Sequence, residues 1–259
     1  MSSAAETVTP LVLTFNEESN IGRTLDSLQW ARRVVIVDSQ STDRTAEIAK
    51  SYQNAVLYTR EFDKHVNQWN FGIYETGIDT ALILTLDADM HVTPELVTEI
   101  EQSFIPGNFA GGLIPFDYRY YGHRLRGSLC PPQLRLFKRD AVRVTQPDHT
   151  QHFSVDGEVY KFRARLIHDD RKPLERFVAS QLAYQVLNDS ELANGGRNRL
   201  RDHLRKLGVM PPIVGLIAYL KAGGPFYGAA AARYGYERAV CESLLAMRII
   251  NRKLQSKQP

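Results

Sequence analysis

Two carboxylates one residue apart, Asp87 and Asp89, end the aliphatic run Leu82-Ile83-Leu84-Thr85-Leu86. Such a run is apolar on both faces and predicts a buried central strand. If the chain stays extended past Leu86, residues 87 and 89 point to one side, because side chains alternate along a strand. Two carboxylates sharing a side repel each other and call for a cation between them, and a divalent metal suits that place. The plainer alternative is that Asp87 caps the next turn and Asp89 is a solvated loop residue. Two further polar clusters follow apolar runs in the same way: Asn16-Glu17 after Thr9-Pro10-Leu11-Val12-Leu13-Thr14-Phe15, and Asp38-Ser39-Gln40-Ser41 after Val34-Val35-Ile36-Val37.

The elements that must position these clusters alternate. Strands are expected at 9–15, 34–37, 55–58 and 82–86. Between and after them, helices are signalled by Ile21, Leu25 and Leu28, by Ala46, Ile48 and Ala49, by Val66, Trp69 and Ile73, and by Leu96, Ile100 and Phe104. Ser41 or Thr42 is expected to cap the second of these helices, with Asp43 favouring its positive end, and Pro94 opens the fourth. The β-α-β-α order predicts an α/β fold with a mostly parallel sheet flanked by helices. Ligands of such sheets sit outside the carboxyl ends of the strands, where the three polar clusters fall.

That placement points to a nucleotide and a metal. A dinucleotide-binding turn would need glycines after the first strand, but the turn is Thr14-Phe15-Asn16-Glu17. No G-x-x-x-x-G-K-[ST] segment occurs, so a P-loop is excluded. At 43% hydrophobic and 24% charged residues, the composition is that of a globular domain, and a net charge of +3 does not suggest nucleic acid. The charge is unevenly placed. Residues 195–259 hold 12 Lys/Arg against 3 Asp/Glu, while residues 1–194 hold 20 against 26. An acidic catalytic part at 1–194 and a basic, partly apolar helical tail at 195–259 are expected. Two isolated cysteines, Cys130 and Cys241, and a polar Met1–Glu6 suggest a reducing cytoplasm.

Leu13-Thr14-Phe15-Asn16-Glu17-Glu18, Val37-Asp38-Ser39-Gln40-Ser41-Thr42-Asp43-Arg44-Thr45 and Leu86-Asp87-Ala88-Asp89 resemble the three signatures of the family 2 glycosyltransferases, which have the GT-A fold. Trp69-Asn70-Phe71-Gly72 adds a likeness to the subgroup that builds lipopolysaccharide cores. The likeness covers residues 9–104 and continues to about residue 185. It implies a nucleotide-binding part at about 9–104 and an acceptor part at about 105–194, with Thr14, Asn16, Glu17, Asp38, Ser39 and Asp87 beside a UDP-sugar. It implies that Asp87 and Asp89 hold Mg²⁺ or Mn²⁺ with the donor's diphosphate, a Lewis acid for the leaving group. The activity implied is inverting, metal-dependent transfer of a hexosyl group to a saccharide or lipid-linked acceptor in cell-envelope synthesis. A sugar-1-phosphate nucleotidyltransferase and a non-catalytic scaffold are the alternatives. The first would want a Gly-rich, Lys-bearing loop after strand one, which is absent.

Inversion requires a base for the acceptor hydroxyl. Relatives carry a His-Glu pair where this chain has His149-Thr150, so the candidates are Asp148, His149 and Asp156. Arg135, in Gln133-Leu134-Arg135-Leu136-Phe137-Lys138, is a candidate to neutralise phosphate. Tyr118, Tyr120 and Tyr121 could stack on a sugar or form a half-buried sheet surface. In the tail, the basic helix 197–206 is expected to break at Pro211-Pro212 and to be followed by apolar Ile213–Leu220 and a helix at about 229–253. Two readings of the segment 197–235 stand: it contacts a membrane surface, which would place the protein peripherally on the inner face of the cell membrane, or its apolar helices pack on the catalytic part with their cations solvated. No apolar run reaches the ~18–20 residues of a spanning helix.

Overall fold

A computed structural model describes residues 3–146, 151–193 and 199–255. The chain forms two compact units, Met1–Gly122 with Cys130–Lys172, and His123–Leu129 with Pro173–Pro259. The strands of the first unit are β1 (Val8–Thr14), β2 (Val34–Asp38), β3 (Ala55–Thr59), β4 (Leu82–Asp87), β5 (Met90–His91), β6 (Gly111–Ile114) and β7 (Phe116–Tyr120). After the two-residue β8 (His123–Arg124), which belongs to the second unit, come β9 (Gln133–Lys138), β10 (Val142–Thr145), β11 (His152–Val155), β12 (Val159–Lys161) and β13 (Leu166–Asp169). Seven strands form the main sheet in the order β12-β6-β9-β4-β1-β2-β3. The β1, β2, β3 and β4 strands run parallel, and β9 alone opposes its neighbours. Pro10 is tolerated in this central position because pairing of β1 with β2 begins only at Leu11.

The unbroken apolar runs follow from burial on both faces. Alternation sends Val12, Val34, Ile36, Leu84 and Leu86 to one face, where helices α2 (Ile21–Asp26) and α5 (Pro94–Glu99) pack. It sends Leu11, Val35, Val37 and Ile83 to the other face, against Trp69 and Ile73 of α4 (His65–Tyr74). The remaining short helices of this unit are α1 (Ala4–Thr7), α3 (Thr45–Lys50) and α6 (Ile105–Gly107). A wider helical turn at Ile100–Phe104 joins α5 to α6 and carries Ile100 and Phe104 inward, as expected. The α1 helix was not legible in the sequence, because four residues carry no periodicity.

The cap of α3 departs from expectation. The helix starts at Thr45, and Asp43 accepts the Thr45 N–H at 3.0 Å, whereas Ser41 bonds Asp38 instead. In the second unit, α7 spans Leu174–Ala193, α8 Arg199–Lys206, α9 Met210–Lys221 and α10 Gly228–Gln255. Pro211 and Pro212 open α9 within its first turn, where a missing N–H costs nothing, and the break between α8 and α9 falls at Gly208, with φ +71°. Cys130 and Cys241 are free thiols.

Candidate active site

Thr14, Asp38 and Asp87 end three adjacent parallel strands, with Thr14 opposite Asp38 and Leu13 opposite Asp87. Strand polarity therefore brings the three polar clusters to one edge of the sheet. Asp38 is buried there and organises two loops. Its Oδ1 accepts from the Thr14 hydroxyl at 2.7 Å and the Ser41 hydroxyl at 2.5 Å, and its Oδ2 accepts from the Ser41 N–H at 2.8 Å. One acceptor position remains on Oδ2. The Ser41 hydroxyl in turn accepts from the Asn16 N–H at 2.7 Å. Asn16 sits at φ +53°, in the left-handed region that Asn tolerates, and its Oδ1 accepts from the Thr42 N–H at 2.7 Å. The Glu17 N–H reaches the Thr45 hydroxyl at 2.6 Å. Ser39 accepts from Gln68 Nε2 at 2.8 Å. These bonds lock the loops after β1 and β2 into one rim.

The two carboxylates of the β4 end differ. Asp87 is half-buried and accepts from Arg135 Nη2 at 3.0 Å. Burial pushes its carboxyl up, but the Arg135 guanidinium outweighs that and holds it below the usual carboxylate range. Arg135 itself is only 4% exposed, lies over Phe116 and also bonds Gln133 Oε1 at 2.7 Å, while its Nη1 is buried with no hydrogen-bond partner. Asp89 is 7% exposed, and its Oδ1 is buried with no hydrogen-bond partner. His168 Nε2 stands 3.7 Å from its Oδ2. Burial pushes the Asp89 carboxyl up, with Asp170 and Asp87 adding to it, against the pull of His168 and Lys172.

A second strand system supplies these partners. β13 runs beside β7 and pairs antiparallel with β5, which places Asp169 N–H on Asp89 O at 3.0 Å. The turn after β13 then delivers Lys172, whose Nζ contacts Glu17 Oε1 at 2.8 Å and Asp170 Oδ2 at 3.6 Å. Burial pushes the Glu17 carboxyl up to about 7, and the nearby Asp89 adds to this against the pull of Lys172. Burial opposes the charge on Lys172, but Glu17, Asp89 and Asp170 outweigh it and hold the ammonium charged well above its ordinary range. Asn20 ties the group together, donating to Glu17 and Asp170 at 2.9 Å each. Lys172 was missed in the sequence. The only signal there was the charged run His168-Asp169-Asp170-Arg171 beside it. Tyr118 stacks on His168 at 4.5 Å, which makes it part of a sheet surface.

Among the base candidates, Asp148 and His149 lie outside the described residues. Asp156 pairs with Arg143 at 2.8 Å in solvent. The residues after it belong to the opposite edge of the sheet: Glu158 O accepts from Ala110 N–H at 2.9 Å, just before β6, and Ala110 O accepts from Lys138, which stands opposite Leu82. The structure thus does not bring Asp156 to Asp87 and Asp89. Among the described residues, no three His, Cys, Asp or Glu side chains form a metal cluster. Asp87 and Asp89 nevertheless fit a divalent cation of the kind held by one or two carboxylates plus substrate phosphates, because the orphaned Asp89 oxygen needs such a partner.

Residues 11–166 match the family described as Glycosyl transferase family 2. An uncharacterized glycosyltransferase of Rickettsia typhi is 32% identical over 205 residues, covering 73% of this chain and 69% of that protein. Alignments to proteins of three further Rickettsia species take in 34%, 37% and 36% of those chains, about a third of their length. The lipopolysaccharide core biosynthesis glycosyltransferase LpsC of Rhizobium meliloti is 25% identical over 226 residues, covering 82% of this chain and 80% of that one. Among solved structures, S. aureus TarS in complex with UDP-GlcNAc superposes with a TM-score of 0.51 at 12% identity, over 95% of this chain and 92% of that chain. That likeness shows the same α/β fold.

Proposed function

The chain belongs to the family 2 glycosyltransferases, enzymes that use nucleotide-sugars, and we propose that it transfers the sugar of a UDP-sugar to an acceptor hydroxyl with inversion. The acceptor class we propose is a saccharide or lipid-linked glycan of the bacterial envelope, a reading supported by the similarity to LpsC. The observation that carries the donor assignment is the buried, unpartnered Asp89 oxygen beside Asp87, at the edge where Asp38 and Glu17 also lie.

The geometry supports the following division of work. Asp87 and Asp89 would hold Mg²⁺ or Mn²⁺, which when bound offsets the charge of the diphosphate leaving group. Asp38 fixes Thr14 and Ser41 and keeps one Oδ2 acceptor position for an N–H of the donor's base. Arg135 keeps Asp87 ionised. Lys172, with Glu17 and Asn20, holds the rim that Asn16 and Ser39 complete. In the single displacement, the acceptor oxygen bonds to C1 as the bond from C1 to the diphosphate breaks. The hydroxyl proton passes to a base, for which we propose Asp148, with His149 the alternative.

Asp89→Asn is expected to lower UDP release from a UDP-sugar with Mn²⁺ by about 100-fold or more, from the weight of electrostatic groups at a developing anion. The same substitution leaves circular dichroism unchanged. Parent-level UDP release by Asp89→Asn would remove the metal assignment, and absence of any release by the parent chain across a panel of nucleotide-sugars would favour a non-catalytic scaffold.

A further inference from the structure

The second unit leaves a stripe of large apolar side chains uncovered. An amphipathic helix of a globular protein turns its large apolar side chains inward. In α9, Gly215 and Ala218 are buried, as is Ala222 at its C-terminal cap, and Gly215 and Tyr219 meet Gly235 of α10. A Cβ at Gly215 would stand 3.1 Å from Gly235 O and 2.9 Å from Ala239 Cβ, so the two helices meet almost backbone to backbone. Four large apolar residues of α9 face out. Ile213, Leu216, Ile217 and Leu220 recur at i, i+3, i+4 and i+7 and are 43%, 57%, 50% and 57% exposed. In the turn that follows, Phe226 is 93% exposed and Tyr227 40%, and Leu207, before α9, is 62% exposed. Scattered exposed leucines need no explanation, but a contiguous face of this kind marks an interaction surface.

The charge around the face says what covers it. Lys206 and Lys221 are exposed beside Leu207 and Leu220. Residues 195–259 hold 12 Lys/Arg against 3 Asp/Glu, and two of the three acids are neutralised within the unit: Glu242 by Arg205 at 2.8 Å and Glu237 by Arg233 at 2.9 Å. An apolar face framed by surplus cations is complementary to an anionic lipid surface. No helix among the described residues is long and apolar enough to cross a membrane. A helix of 12 residues, about 18 Å long, can lie along the headgroup boundary but cannot span it.

We propose that α9 and the Gly224–Tyr227 turn form an interfacial anchor that seats this chain on an anionic bilayer. Ile213, Leu216, Ile217, Leu220 and Phe226 enter the acyl boundary, and Lys206 and Lys221 meet the headgroups. The anchor does not depend on the donor reading, and its test measures binding and not turnover. The full chain is floated with vesicles of phosphatidylglycerol and phosphatidylcholine, and with phosphatidylcholine alone. It rises with the anionic vesicles, stays down with the neutral ones, and releases in high salt. The double variant Leu216→Gln/Leu220→Gln, and separately Phe226→Ala, alter exposed side chains and keep the parent Tm. The double variant lowers the floated fraction by about tenfold or more, given the transfer free energy of two leucines. A parent chain that stays down with anionic vesicles overturns the proposal, as do variants that float like the parent. A dimer dissolved by the double variant, with vesicles unbound, assigns the face to a second copy and also overturns it.

Discussion

Asp89 and Lys172 carry the electrostatics of the site from opposite directions. A buried carboxylate oxygen without a donor is costly unless a cation meets it. Lys172 serves three carboxylates at once, those of Glu17, Asp170 and, at longer range, Asp89. Lys172→Met leaves Glu17 without its counter-charge and is expected to destabilise the first unit by about 3 kcal/mol at pH 8. Adding Glu17→Gln restores most of that loss, because the buried charge goes with it. Urea unfolding of the single and double variants checks this, and an unchanged midpoint for Lys172→Met would refute the counter-charge role. Asp87, Asp89, Asp38 and Asn16-Glu17 were legible because each ends an apolar run. Lys172 was not, because it meets Glu17 across 155 residues and carries no local pattern. Asp156 is a candidate by residue type and nearness in sequence to His149, neither of which fixes the sheet edge it occupies.

At the scale of elements, short motifs resolve into packing. Trp69 is fully buried, and three residues on Gly72 lets α4 lie directly on β1. A Cβ at Gly72 would come within 2.7 Å of Leu11 Cδ1, whose side chain is itself fully buried. Gly72→Ala is therefore expected to cost about 1–3 kcal/mol by overpacking, measured as a lowered Tm. Glu99, at the end of α5, ties that helix to the loop before β13 by accepting from Arg163 and Ala164 N–H groups and the Tyr160 hydroxyl. Burial pushes its carboxyl up, but these donors outweigh burial and hold it below its ordinary 4.5. A depressed carboxyl contributes stability that is present above the unfolded value and is lost as pH falls through the folded one. Between pH 6 and about 3, wild type should therefore lose stability more steeply than Glu99→Gln. Equal slopes in urea titrations would show that these bonds do not distinguish the charged form.

Across the whole molecule, charge and packing divide the labour. The acidic first 194 residues include the sheet edge with its carboxylates, and the basic remainder includes the outward-facing α9. The thermal shift given by UDP-sugar with Mn²⁺ should accordingly be the same in Leu216→Gln/Leu220→Gln as in the parent, and a lost shift would show that the two functions are not separate. The sequence by itself determined the α/β alternation, the strands that are buried on both faces and the three polar clusters at one edge. These depend on side-chain period and strand direction, which are local properties. Tertiary structure decided which of those carboxylates keeps an unpartnered oxygen, which cation stands beside Glu17, and which edge Asp156 joins. It also decided that α9 leaves Ile213, Leu216, Ile217 and Leu220 exposed. Those outcomes depend on strand order and helix pairing across long separations, where no periodic signal reaches.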